Sequence, residues 1–356
     1  MKPILVVAIF AFLACISLAQ DASSSNSSSD ETHLILLLNQ KLSEAARARD
    51  AGDWKRAIAL LEGATELAPD RDLLWFKLGD AYRGAKRYQD AAMAYDRAIA
   101  MKPIAPYYNN LGEAESKLGN VLDAVHAYRN AAQLDPEKAW QYYFNIGAVE
   151  TNAGDFNAAN AAYDDAIRAD PSFSRPYYFK ALNLLGNSQT VRGQADVPPE
   201  ARTLFEKYLE LSPDGPYADV CHRAIDFIAR GITPTYRQRE RKDRHSTLPE
   251  SQTYESVPPG EVDEFVIRKF QPVYPALARD ARIQGTVTLL AVIEKDGSIA
   301  SLDVLSGNPF LVEAALGAVK GWKYRPFKVV GILAIVQSQI QANFALTPET
   351  VADPIH

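Results

Sequence analysis

Apolar residues recur three or four positions apart through the first two thirds of the chain, a helical rhythm, and change to alternation in the last quarter, a strand rhythm. The helical part is also self-similar. Prolines close successive segments at Pro69, Pro103, Pro136, Pro171 and Pro213, with spacings of 34, 33, 35 and 42 residues. One segment contains Trp75, Leu78, Gly79, Tyr82, Ala91, Tyr95 and Ala98. The next two repeat that frame as Tyr108, Leu111, Gly112, Ala124, Tyr128 and Ala131, then Tyr143, Ile146, Gly147, Ala159, Tyr163 and Ala166. Each segment is predicted as a pair of helices: small Gly and Ala let the two approach, the rings fill the space between them, and proline, which lacks an N–H, stops the second. Gly52-Asp53-Trp54, Gly119-Asn120 and Gly154-Asp155-Phe156 mark the tight turn inside three of the units.

This frame resembles the tetratricopeptide repeat (TPR). The resemblance implies an all-α TPR superhelix over residues 41–231, with a concave surface suited to a peptide or protein whose identity the sequence does not give. The first unit is degenerate, with Lys41 and Glu44 where the aromatic and the leucine would fall, as an end unit facing water allows. Residues 186–199 insert between the helices of the fifth unit, and an amphipathic helix at about 217–230, ended by Gly231, is expected to cap the array. Candidate groove residues at helical spacing are Phe76, Asp80, Arg83, Asn109, Glu113, Phe144 and Ala148. Each either meets the ligand or merely solvates a scaffold face.

In the last quarter, Val287, Leu289, Ala291 and Ile293 share one face of a strand, Asp296-Gly297 makes a hairpin turn, and residues 299–305 return antiparallel. Asn308 can cap a helix with Pro309 in its first turn, and Leu311, Ala315, Ala318, Val319 and Trp322 form the stripe that packs on the sheet. A final strand over 332–346 sets Val336, Ser338, Ile340, Ala342 and Phe344 on a buried face, with Gln337, Gln339, Gln341 and Asn343 on a wet one.

Here Q-P-V-Y-P-A-L-A from Gln271, R-I-Q-G-T-V, E-K-D-G-S-I, V-L-S-G, A-V-K-G-W-K-Y-R-P and N-F-A-L stand in an order that resembles the C-terminal domain of TonB energy transducers, over about residues 265–346. The fold implied for 263–347 is a small α+β domain, a three-stranded antiparallel sheet with two helices. The whole chain is thus expected to be multidomain. An unpaired outer edge on the last strand exposes backbone N–H and C=O groups to another extended chain, so strand addition is the natural mechanism. The resemblance implies that a segment of an outer-membrane TonB-dependent receptor pairs near Gln271, Pro272, Tyr274 and Pro275 and along Leu333, Ile335, Gln337, Gln339 and Gln341, with Arg279 and Arg282 toward acidic receptor residues. Alternatively, Tyr274 and the prolines only fix the turn into the domain and cover the sheet edge.

Residues 1–19 resemble a secretory signal peptide: Lys2, an apolar run from Ile4 to Ala19, and small Ser17 and Ala19 before Gln20. This implies a periplasmic protein, or one anchored in the inner membrane and facing the periplasm if the segment is retained. Membrane contact is expected only through that segment. A Ser-rich spacer follows from Asp21, too polar to offset its ordering entropy, and leads into the first helix by residue 40. Residues 232–262 lose apolar periodicity and read as a tether, with the basic run Arg237, Arg239, Arg241, Lys242 and Arg244 diluted by Glu240 and Asp243; residues 348–356 are a tail.

Composition narrows the chemistry. With 356 residues, 47% hydrophobic, the chain can bury a core, and a net charge of -6 argues against nucleic acid as a partner. Of two cysteines, Cys15 lies in the leader and Cys221 sits in an apolar helical pattern, so it reads as a buried small hydrophobe. Five histidines are scattered without zinc spacing, and nucleotide-binding and nucleophile motifs are absent, so no metal, no cofactor and no enzyme are expected. The reading is an exported interaction protein with a TPR scaffold and a receptor-binding TonB-like domain. Its alternatives are a cell-envelope binder that uses Tyr274, Trp322 and nearby cations against peptidoglycan, or a true energy transducer if the leader is a retained anchor.

Overall fold

The computed structural model describes residues 32–191, 194–230, 235–237 and 254–346. The leader, most of the Ser-rich spacer, Gly231, most of the basic run and the tail lie outside them. The chain divides into two compact units, residues 1–142 and 143–356.

In the first unit, helix α1 (residues 32–50) is followed by α2 (Trp54–Leu67), α3 (Asp72–Gly84), α4 (Tyr88–Met101), α5 (Ala105–Leu118) and α6 (Val121–Leu134). These pair as the repeat frame predicts. A β-carbon on Gly79 of α3 would come within 2.5 Å of the Tyr95 ring of α4, so only glycine lets these helices close on that ring. Asp53 caps α2 by accepting the Arg56 N–H at 3.1 Å, and Gly119 ends α5 at a φ of 81°. Ala57, Ala91, Tyr95, Ala98, Ala124 and Ala131 are buried.

The second unit takes up α7 (Ala139–Ala153) near its start and continues with α8 (Phe156–Ala169), α9 (Arg175–Gly186), α10 (Pro199–Leu211) and α11 (Ala218–Arg230). A three-stranded antiparallel core follows, as expected: β6 (Gly285–Ile293) lies between β7 (Ile299–Gly307) and β11 (Val336–Phe344). Val287, Leu289, Ala291 and Ile293 alternate inward on β6, and Val336, Ser338, Ile340, Ala342 and Phe344 do so on β11. Short α12 (Ala276–Asp280) and α13 (Pro309–Val319) supply the two helices. One apolar core runs from Phe144, Tyr163 and Phe205 through Cys221 to Leu289, Leu311 and Trp322.

Four short strands that the sequence pattern did not show extend this sheet. The insertion in the fifth repeat unit folds as a hairpin, β1 (Gln189–Val191) with β2 (Gln194–Asp196), and β1 pairs with β7 at Ser306 and Gly307. Two pieces of the expected tether also pair: β3 (Thr235–Arg237) with Ser301, Leu302 and Asp303 of β7, and β4 (Glu255–Ser256), in parallel, with Val336 and Gln337 of β11. Backbone pairing at a sheet edge needs no side-chain periodicity, so the pattern carried no trace of it.

The expected continuous strand over 332–346 is broken. Leu333 belongs to β10 (Ile332–Leu333), which folds back on β9 (Lys328–Val329) around Val330 and Gly331. The last residue of β6 paired with β11 is Ile293, opposite Val336, after which the Asp296-Gly297 turn removes the partner that 332–335 would need. A two-stranded ribbon, β5 (Val266–Arg268) with β8 (Lys323–Tyr324), completes the domain.

Candidate interaction sites

The outer flank of β11 is defined by two hydrogen bonds. Glu255 donates its N–H to the Ile335 carbonyl and Val257 donates to the Gln337 carbonyl, each at 3.0 Å. Backbone groups of successive strand residues point to opposite flanks, so Gln339, Gln341 and Asn343 turn their N–H and C=O groups the same way as Gln337. Among the described residues, β11 pairs only with β6 and β4, and β4 ends opposite Gln337. A stretch centred on Gln339, Gln341 and Asn343 is therefore a sheet edge with exposed side chains above it. At its far end Thr286 donates to the Asn343 side chain at 2.7 Å.

The expected contact residues divide around this edge. Gln339 and Gln341 lie on it; the outward carbonyls of Ile335 and Gln337 are engaged by the chain itself, and Leu333 is in the separate hairpin. Tyr274 packs edge-on against Phe344, ring centroids 5.6 Å apart, and its hydroxyl donates to the Ile283 carbonyl at 2.5 Å. Burial raises its phenol pKa. Tyr274 thus closes the Phe344 end of β11, Pro272 and Pro275 are half-buried beside it in sequence, and Gln271 is exposed. Arg279 is exposed; Arg282, at a φ of 52°, donates to the Asn152 side chain of α7 at 2.9 Å.

In the first unit, five of the expected groove residues come together. Asp80 accepts from the Tyr95 hydroxyl at 2.8 Å and from Asn110 at 2.9 Å, and the Asn109 amide donates to the Asn110 side chain at 3.1 Å. Arg83 bridges Asp80 at 3.5 Å and Glu113 at 2.6 Å. Burial, and then the Asp80 carboxylate, raises the Tyr95 phenol far above its ordinary value, so it remains a donor. Phe76 stacks on Tyr107 at 4.6 Å and packs at a tilt against Tyr95, the donor to Asp80, at 5.7 Å. A cavity of about 60 Å³ adjoins it between α1, α2 and α3; Arg49, Lys77 and Asp80 line it among alanines and leucines. Arg49 was missed because the first unit departs from the repeat frame; Lys77, one turn before Asp80 and Ala81, has no signal of its own in the frame.

Phe144 corrects the groove expectation. It is 4% exposed, with Arg175 over its ring at 4.6 Å and Phe173 edge-on at 5.3 Å, so it belongs to the core of the second unit. Ala148 is buried too. The residues expected to grip a wall polymer are likewise committed: Trp322 is 2% exposed and donates its indole N–H to the Phe270 carbonyl at 2.9 Å. Tyr274 is also bonded inward, so these two rings do not together form a platform for a sugar ring.

Among the described residues no helix is long and apolar enough to cross a membrane, and no group of three or more His, Cys, Asp or Glu is placed to hold a metal ion.

These features define a helical-repeat scaffold joined to a small sheet domain in which the β11 flank is open beyond β4 among the described residues. Residues 42–108, 109–172 and 152–216 match the tetratricopeptide repeat, and residues 271–346 match the Gram-negative bacterial TonB protein C-terminal domain. The chain carries both, and both are protein-interaction modules. Over 77 residues it is 34% identical to Protein TonB of Xanthomonas campestris pv. campestris, covering 21% of this chain and 34% of that protein. Over 90 residues it is 32% identical to the Hsp70-Hsp90 organizing protein of Triticum aestivum, covering 25% of this chain and 16% of that protein. The chain thus spans about a third or less of these relatives. Among solved structures, MamA matches at 23% identity and a TM-score of 0.44, over 50% of this chain and 92% of that one. YrrB, described as a TPR protein with an unusual peptide-binding site, matches at 17% identity and a TM-score of 0.41, over 51% of this chain and 90% of that one.

Proposed function

We propose that this chain is an exported, non-enzymatic interaction protein of the periplasm whose C-terminal sheet receives an extended segment of an outer-membrane receptor, while its repeats dock a second peptide or protein. The supporting observation is the flank of β11: β4 already pairs with its first residues, and the same flank continues as an open edge through Gln339, Gln341 and Asn343. Backbone pairing supplies affinity there, and the exposed Gln and Asn side chains select what lies above them. The Asp80–Arg83–Glu113 network offers the repeat ligand fixed donors and acceptors whose geometry is set before binding.

Capture of receptors from solubilised outer membrane by the immobilised full chain tests the reading. Gln341→Pro removes the outward N–H and should abolish capture, whereas Gln341→Ala, which keeps the backbone, should retain it. Equal capture by both variants would refute strand addition.

A further inference from the structure

Four aliphatic side chains crowd the tip of the β9–β10 hairpin: Val329, Val330, Ile332 and Leu333 are 40, 96, 74 and 43% exposed. Solvation disfavours every one of them there. The backbone disfavours Val330 as well, because its φ of 50° is a left-handed conformation in which a β-branched residue is strained and Asn or Gly is not. Turn geometry alone therefore does not account for an aliphatic residue at this position.

The root of the hairpin is cationic. Segments 266–270 and 320–333 together carry Arg268, Lys269, Lys320, Lys323, Arg325 and Lys328 and no acidic residue. They meet in space: β5 pairs with β8, and Phe265, just before β5, packs at a tilt against Phe327, just before β9, ring centroids 4.5 Å apart. Lys323 is held by Asp296 at 3.1 Å and Arg325 reaches the Glu264 carbonyl; Glu261, Asp263 and Glu264 lie on the 3-10 turn ahead of β5. Arg268, Lys269, Lys320 and Lys328 carry the rest of the positive charge.

We infer that the 329–333 tip inserts into the surface of an anionic lipid bilayer. The two strands pair with each other across the turn, with Ala334 donating to the Phe327 carbonyl at 3.0 Å, so what the convex end presents is aliphatic side chain. Aliphatic side chains at a tip whose strand and neighbouring ribbon carry cations match the layering of a bilayer surface, hydrocarbon beneath phosphate. This surface is separate from the β11 flank and does not depend on receptor binding.

The experiment places an environment-sensitive fluorophore at Leu333→Cys in the full chain, with Cys15→Ser; Cys221 is buried and does not label. Phosphatidylglycerol vesicles should shift its emission to the blue, phosphatidylcholine vesicles should not, and high salt should weaken the shift. The same label at Leu122→Cys, an exposed repeat position, should not respond. Val330→Asn, which suits the left-handed turn, should raise the thermal midpoint yet increase the lipid concentration at half shift about tenfold. An unresponsive label at Leu333→Cys, or half shift unchanged by Val330→Asn, overturns the inference. So does a shift that follows protein concentration without lipid, since a second copy would then be the partner.

Discussion

Val257 donates its N–H to the carbonyl of Gln337 at 3.0 Å, and this bond both fixes the outward flank of β11 and marks where the chain stops covering it. Val257→Pro removes the donor. The variant should lose about 1 kcal/mol of stability in a denaturant titration and, by lengthening the open edge, should bind extended peptides more tightly. Unaltered peptide binding would mean that β4 does not limit access to the edge.

Asn308 does two jobs with one side chain. Its oxygen accepts the Phe310 N–H at 3.0 Å to cap α13, and its amide faces the carbonyls of Leu185, Gly186 and Ser188 at 2.8 to 3.1 Å. Asn308→Ala should cost about 2–4 kcal/mol, from the lost cap and the buried carbonyls left unpaired. Asn308→Asp keeps the cap but turns an acceptor on those carbonyls, so it should be the worse of the two in thermal unfolding.

Gly79→Ala should destabilise the first unit by about 1–3 kcal/mol, because the new methyl enters the Tyr95 ring. Tyr95→Leu in the same chain should recover part of that loss. Full additivity in a double-mutant cycle would contradict the contact.

Burial pushes the Cys221 thiol up to about 12, and the residue is fully buried. Native protein at pH 8 should resist alkylation at this position, and denaturant should release the reactivity. Rapid native labelling would show that the junction of α11 with its neighbours opens.

The Ser298 hydroxyl and N–H, with Lys323 beyond them, hold the Asp296 carboxyl down to about 2. A depressed carboxylate stabilises the fold above its unfolded value near 3.8, and that contribution fades as pH falls toward 2. Asp296 is largely solvent-exposed, so the effect is small. Asp296→Asn should lower the thermal midpoint at pH 6 and match the parent at pH 2; a gap that widens in acid would reverse the sign.

Much of the architecture was legible because local chemistry recurs. The alternation on β6 and β11, the Asp296-Gly297 turn and the Asn308 cap are each written within a short local stretch, and the Gly79–Tyr95 frame is legible because it repeats along the chain. The candidate site was legible only in part. Gln339 and Gln341 fall on the open edge, but Ile335 and Gln337 are engaged by a linker segment with no strand pattern, Phe144 is drawn into an aromatic cluster, and Arg49 stands in the degenerate unit.

Sequence alone determined the repeat helices and the three long strands of the sheet and which face of each is apolar, since burial of side chains imposes a period that can be read directly. Tertiary structure alone decided which sheet edges stay open. Backbone N–H and C=O groups are the same in every residue but proline, so a Pro-rich tether or a loop insertion can cap an edge without any signature in its side chains.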